Sequence, residues 1–407
     1  MSGKMPVRVS EKMPAKDGRR LDLELMRVVA CFFVIFNHTG ENGFFRFSLC
    51  DSGSFRFWVY LAVSIFCKFS VPLFFMVSGA LLLEREESLG RLWRHRIGKI
   101  ALVLLAWSFF YYLDEVWLGW REFRLGDFAG QFLWGNWNLS FWYLYTYLAM
   151  LMTLPLLRKF AGSLTNREFV YLFSLAFVFS SLLPVLQYLL WQENHSFNSD
   201  FQLGWVCAQI FVCPLLGYFL RKRIPDFWSG RRLALLWAAN LGGILVTAGL
   251  TVWKASLTGM LDENHSQSFY NLFAVLNAAS VFAACTYLAG RGAAVPPRPE
   301  VPREPALPPQ AAAQQAAFVR GAALRRPLLR RLCALLQSMG SCTLGIYLLH
   351  LFFHQRLPFM GRLWDVFRVR LGLGDMISAF LYCGVIFLMG YGVTLVLKRV
   401  PLARRLV

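Results

Sequence analysis

An arginine at 27 and a histidine at 38 bracket one uninterrupted apolar run, RVVACFFVIFNH. In a helix, eleven residues at about 100° and 1.5 Å each make three turns plus ~20°, so both side chains share a face, about 16 Å apart. Ionisable groups at membrane depth are costly and mark function by default. A histidine titrates near neutral pH and can take a proton from a hydroxyl, which suits a general base in acyl transfer to an alcohol. The competing reading makes His38 an interfacial histidine that only bonds a neighbouring helix; the arginine on its face favours chemistry. Arg27 cannot shed its charge. Glu24 and Asp22, close in sequence, offer it a local ion pair, whereas donor phosphates or an active-site carboxylate would give it a functional partner.

A second cation, Lys68, falls within the next apolar run, with Pro72 four residues later. Proline cannot donate to the carbonyl at i−4, here that of Lys68, so a kink and a freed acceptor are expected. In the following VPLFFMVSG (Val71–Gly79), Ser78 and Gly79 would let a backbone or a ligand approach closely. Arg91, Arg94, Arg96 and Lys99 cluster ahead of the third run, and arginine clusters suit phosphates such as those of coenzyme A. Orientation signalling explains them equally well. Further on, SCTLGIYLLHLFFH carries His350 with His354 one turn later, and Tyr347 stands where it would orient His350. No carboxylate there offers a third ligand, so a metal is not expected. The aromatic opening FWYLYTYLAM, with Trp142 and Tyr143, reads as an interfacial belt that also suits sugar stacking. Asn138, Asn194 and Asn198 add hydroxyl-recognising groups on the same side.

The elements that must hold these residues are membrane helices. The 407 residues are 57% hydrophobic, yet the chain is charged +19. Apolar runs near 20 long match the length that crosses a bilayer core, and the alternation of barrel strands is absent. The expected fold is all-α, a polytopic integral membrane protein of about ten transmembrane helices: 21–40, 57–83, 99–118, 140–157, 169–190, 201–220, 233–253, 269–289, 340–357 and 376–397. With the N-terminus inside, 31 Lys/Arg fall in cytoplasmic segments and 9 outside, so both termini are expected in the cytoplasm. The basic excess thus reflects orientation, and no nucleic-acid motif accompanies it. Residues 1–20 form a basic tail, and the run after them is too long, and lacks the cleavage signature, for a removed signal peptide. Helices one to eight fill 21–290. The Pro/Ala/Arg-rich segment 291–331 is expected to be a disordered cytoplasmic linker, and 332–407 supplies the last two helices and a basic tail. Nine cysteines without regular spacing argue against a disulfide framework or zinc site. No phosphate loop, GxSxG elbow or HExxH motif appears, which disfavours ATP-driven transport and serine or zinc hydrolases.

Assembled, these pieces resemble the membrane acyltransferase-3 family. Arg27-x10-His38 with Asp22 before it is similar to that family's signature, and Lys68 with VPLFFMVSG to its second motif. Trp142-Tyr143-Leu144 and LGIYLLH (Leu344–His350) resemble later family segments. The resemblance implies a multi-pass protein of the cell (inner) membrane. It would carry an acyl group, acetyl the expected one, from cytoplasmic acyl-CoA to a carbohydrate hydroxyl. The motif histidine would be catalytic. On that reading His38 and Arg27 are catalytic. Lys68, Asp22, Glu24, Ser78, Trp142, Tyr143, Tyr347 and His350 face the substrate, and Arg91, Arg94, Arg96 and Lys99 hold the donor. The partners are a carbohydrate or lipid-linked sugar acceptor and membrane lipids, with no nucleic acid; a homo-oligomer is left open. The rival class is a carrier or flippase for a lipid-linked sugar, in which buried cations and kinked helices bind and move a substrate.

Overall fold

The computed structural model describes residues 21–192, 194–261, 269–293 and 309–407, with backbone alone for 290–293 and 309–330. The described residues form helices and turns, with no strand. Among the described residues, eight helical segments are long and apolar enough to cross a membrane. The helices that matter below are α1 (Leu21–Asn37), α2 (Phe55–Cys67), α3 (Ser70–Leu82), α4 (Leu89–Trp117), α5 (Leu125–Trp134), α6 (Trp142–Ser163), α7 (Asn166–Trp191), α8 (Gln209–Tyr218), α9 (Gly230–Thr258), α10 (Ala274–Ala293), α11 (Pro309–Arg356), α12 (Phe359–Asp365) and α13 (Asp375–Leu397). Many Leu, Phe and Trp side chains, such as Leu133, Leu156, Leu245 and Leu388, stay exposed, as a lipid-facing surface requires.

The helix carrying Arg27 is the hub. It has only 17 residues, yet none of them is exposed, because α2, α3, α10, α11 and α13 surround it. Its two halves feed two hydrophobic cores. Leu23, Met26 and Ala30 join one with α3, α6 and α8, while Cys31, Val34, Ile35 and Phe36 join the other with α2, α4, α11 and α13. The helix ends three residues before the expected bound, at Asn37 rather than 40. The Thr39 hydroxyl donates to the Phe36 carbonyl at 2.7 Å and accepts from the Phe44 amide at 3.3 Å. Gly40 then takes φ +56°, a conformation that suits glycine, and the chain turns back.

The expected helix over 57–83 is two helices. They break at Lys68–Phe69, where Pro72 cannot donate to the Lys68 carbonyl. The expected 201–220 is likewise split, into a short turn Gly204–Cys207 and α8, with Ala208 extended between them. Gly79 of α3 and Gly217 of α8 meet reciprocally: a Cβ at 79 would overlap the Pro214 backbone, and one at 217 the Met76 carbonyl. Close approach through small residues is how membrane helices gain packing where lipid removes the hydrophobic drive. Of the expected linker, 294–308 lie outside the described residues, as does the tail 1–20. From Pro309 the backbone is helical as the start of α11, in keeping with the helix propensity of its Ala, Gln, Arg and Leu residues.

Candidate active site

At its N-terminal end α1 carries acids, and each meets a cation. Asp22 pairs with both terminal nitrogens of Arg221, and Glu24 accepts from Arg27 at 3.2 Å. Acids in a first helical turn are also favoured by the backbone dipole. Gly340 of α11 makes room for Glu24, since a Cβ there would overlap the carboxylate. The Arg27 side chain keeps 30% exposure, against 13% for Glu24. Asp22 and Glu24, expected to face substrate, are instead the counter-ions of this end.

The predicted donor cluster does not stay together. Arg91, Arg94 and Lys99 are exposed, whereas Arg96, in a π-helical turn (Trp93–Ile97), bonds Glu87 at 2.8 Å. Arg158 reaches the same carboxylate at 3.3 Å and the Leu82 carbonyl at 3.0 Å. Lys222 pairs with Glu84. Glu84 to Leu89 with Pro155, Leu156, Arg158 and Lys159 line a groove of about 970 Å³ beside these pairs. Burial would push the Glu87 carboxyl up, but the hydrogen bonds from Arg96 and Arg158 outweigh that and hold it below its ordinary range. Arg158 and Arg221 escaped the sequence reading. Their signal was a basic residue directly ending an apolar run, which orientation alone also explains.

At the other end of α1 the chemistry changes. His38 Nδ1 lies 2.8 Å from the Val34 carbonyl and 3.3 Å from His350 Nε2. His350 is 1% exposed, and its Nδ1 faces the Tyr347 carbonyl. A carbonyl only accepts, so the ring nitrogen opposite each must carry hydrogen. His350 Nε2 is then the acceptor of the Nδ1–H of His38, and His38 Nε2 holds a lone pair. The partner of His350 is therefore the Tyr347 backbone; the phenol, expected to orient it, bonds the Ser140 carbonyl instead. His354 leaves the pair for the Tyr382 hydroxyl at 2.9 Å.

Lys68 Nζ donates to Asn37 Oδ1 at 2.7 Å and lies 4.2 Å from the centre of the Phe44 ring. The freed backbone at the kink thus brings a cation to the residue next to His38. Asn37 was not singled out from the sequence; its signal was a lone amide inside an apolar span. Ser78 bonds back to the Phe74 carbonyl at 2.9 Å, and its neighbour Gly79 serves packing. Tyr143 packs against Tyr347 at 5.6 Å and Tyr147 at 5.8 Å, which lines the middle of the bundle with rings, while Trp142 is 43% exposed at the helix start. The structure thus brings together His38, His350, Lys68 and Asn37, with Tyr347 beside them, and leaves Ser78 and Trp142 out.

Residues 20–399 match the acyltransferase-3 family, described as an acyltransferase domain. No curated protein and no solved structure matches the chain. With that match over nearly the whole chain, on a bundle of membrane-length helices, the chain belongs to the membrane acyltransferase-3 family and is a multi-pass membrane acyltransferase.

Proposed function

We propose that this acyltransferase moves an acyl group, acetyl the expected one, from cytoplasmic acyl-CoA to a hydroxyl of a cell-envelope carbohydrate or lipid-linked sugar, with His38 as general base. The observation that carries the reading is the contact of His38 with His350 at the end of an enclosed helix whose opposite end presents Arg27. The end of α1 with Arg27, Arg96, Arg158 and Arg221 is the cytoplasmic one, in line with the excess of basic residues on that side. Donor phosphates dock there against Arg27 and the exposed Arg91 and Arg94. The ~16 Å rise from Arg27 to His38 leaves room for an extended pantetheine arm.

The acceptor oxygen then attacks the thioester carbon while His38 Nε2 takes its proton. The imidazolium so formed shares its Nδ1–H between the Val34 carbonyl and His350 Nε2. As the tetrahedral intermediate collapses, the C–S bond breaks and the thiolate takes the proton back from Nε2, giving ester and free thiol. The amide oxygen of Asn37 is committed to Lys68, so its N–H groups are the donors available to a developing oxyanion. Purified protein is expected to turn over labelled acetyl-CoA. His38→Ala should lower the rate about a thousandfold without loss of folding; wild-type turnover in that variant would remove His38 from the mechanism. A carrier would tolerate His38→Gln and consume no acetyl-CoA.

A further inference from the structure

The break between α2 and α3 deprives a second carbonyl of its ordinary donor, besides that of Lys68. In an unbroken helix the Phe69 amide would bond the Ile65 carbonyl. Here it bonds the Phe66 carbonyl at 3.1 Å and the Lys68 amide bonds Ile65 at 3.3 Å, so the last turn of α2 tightens to three-residue bonds. The Ile65 carbonyl then gains a donor from another helix, Asn277 Nδ2 of α10, 3.3 Å away. Asn277 is 0% exposed, in a helix that packs on α1, α2 and α3. Ser64, the residue before Ile65, donates to the Phe44 carbonyl, and the Phe44 ring lies 4.2 Å from Lys68 Nζ. The end of α2 is thus tied both to α10 and to the loop that follows α1. From that turn the Lys68 ammonium reaches Asn37 Oδ1 at 2.7 Å.

A second buried asparagine, on α9, offers a comparison at the same depth. The two helices run antiparallel: a Cβ at Gly243 would meet the Phe273 ring at 2.9 Å, and one at Gly230 the Tyr287 hydroxyl at 3.5 Å. Asn240 lies three residues before Gly243 and Asn277 four after Phe273, so the two sit level to within about 2 Å. Asn240 is also 0% exposed. Neither of its amide atoms bonds a described residue, whereas Asn277 leaves only its oxygen without such a bond. Two amides of equal burial and depth therefore differ in the bond to Ile65.

We propose that Asn277 is a positioning residue for acyl transfer: by holding the Ile65 carbonyl it fixes the turn from which Lys68 reaches Asn37, the neighbour of His38. Its catalytic meaning rests on the acyl-transfer reading; its coupling to Lys68 does not. The test is acetyl-CoA turnover and thermal unfolding of the full chain in lipid nanodiscs. Asn277→Leu removes the donor and is expected to lower kcat about fivefold, with KM for acetyl-CoA unchanged. Combined with Lys68→Met, it should lower kcat no further than Lys68→Met alone, and the two losses in thermal midpoint should fall short of their sum. If the leucine variant is recovered unfolded, Asn277→Ser carries the same test, since its hydroxyl would bond back along its own helix as that of Ser280 does. Asn240→Leu should leave kcat within about twofold of wild type. Rate losses that multiply in the double variant, or a risen KM with kcat unchanged, overturn the proposal. So does an equal loss of kcat in Asn240→Leu, which would assign the effect to packing at that depth. No turnover by the wild type removes acyl transfer, and the midpoints then judge the link to Lys68 by themselves. Additive midpoint losses beside normal wild-type turnover remove Asn277 alone.

Discussion

The two ends of α1 solve the problem of polar groups in a membrane protein in opposite ways. Around Arg27 every acid described on α1 faces a guanidinium, and Glu87 ties Arg96 to Arg158. Among the described residues, no carboxylate bonds His38 or His350. Two imidazoles share a hydrogen bond, each fixed by a backbone carbonyl, and Lys68 beside them contacts an amide and an aromatic face. The first end is a lattice of paired charges. The second is a pair of imidazoles inside the bundle, with Lys68 bonded to the residue next to His38. Charge belongs where solvent can share it, and proton transfer where solvent is kept away.

The contrast can be broken most severely at its histidine end. His350→Ala removes the acceptor for the His38 Nδ1–H, and kcat is expected to fall about a hundredfold with little change in KM for acetyl-CoA. His350→Gln, which returns an acceptor oxygen near the lost nitrogen, should restore part of it and shift the pH–rate profile. Equal losses in both variants would make His350 structural. Gly79→Ala tests what positions the site: the added methyl meets the Pro214 backbone, and the thermal midpoint should fall by the equivalent of about 2–3 kcal/mol.

At the charged end, Glu87→Gln should cost about 2 kcal/mol, and added salt should narrow the difference from wild type. Since the Glu87 carboxyl is held below its ordinary range, its contribution is full above about pH 4.3, the value of a free glutamate. It is lost as pH falls through the lowered folded value, so acid unfolding should be shallower in the variant. Lys68→Met sharpens the comparison from the other side. Freed from its anchor, Asn37 should lower kcat about tenfold, and salt should leave that loss unchanged, unlike the loss at Glu87.

Most of the helices were legible because a bilayer core dictates their length and composition, and Arg27 and His38 stood out because polar groups are rare there. Pro72 announced the break at Lys68, since a missing donor is a local fact. The split before α8 was not legible, because the apolar run continues across it. Nor was the exchange of partners by which Asp22 found Arg221, 199 positions away.

The sequence alone determined that the chain is a helical membrane protein and which two polar residues of its opening span are costly enough to need a purpose. Periodicity states which face a residue occupies, but not which helix lies opposite. Only the tertiary structure therefore decided that His38 meets His350 from 312 positions away, and that Lys68 holds Asn37. It also decided that a short helix is the one every core surrounds.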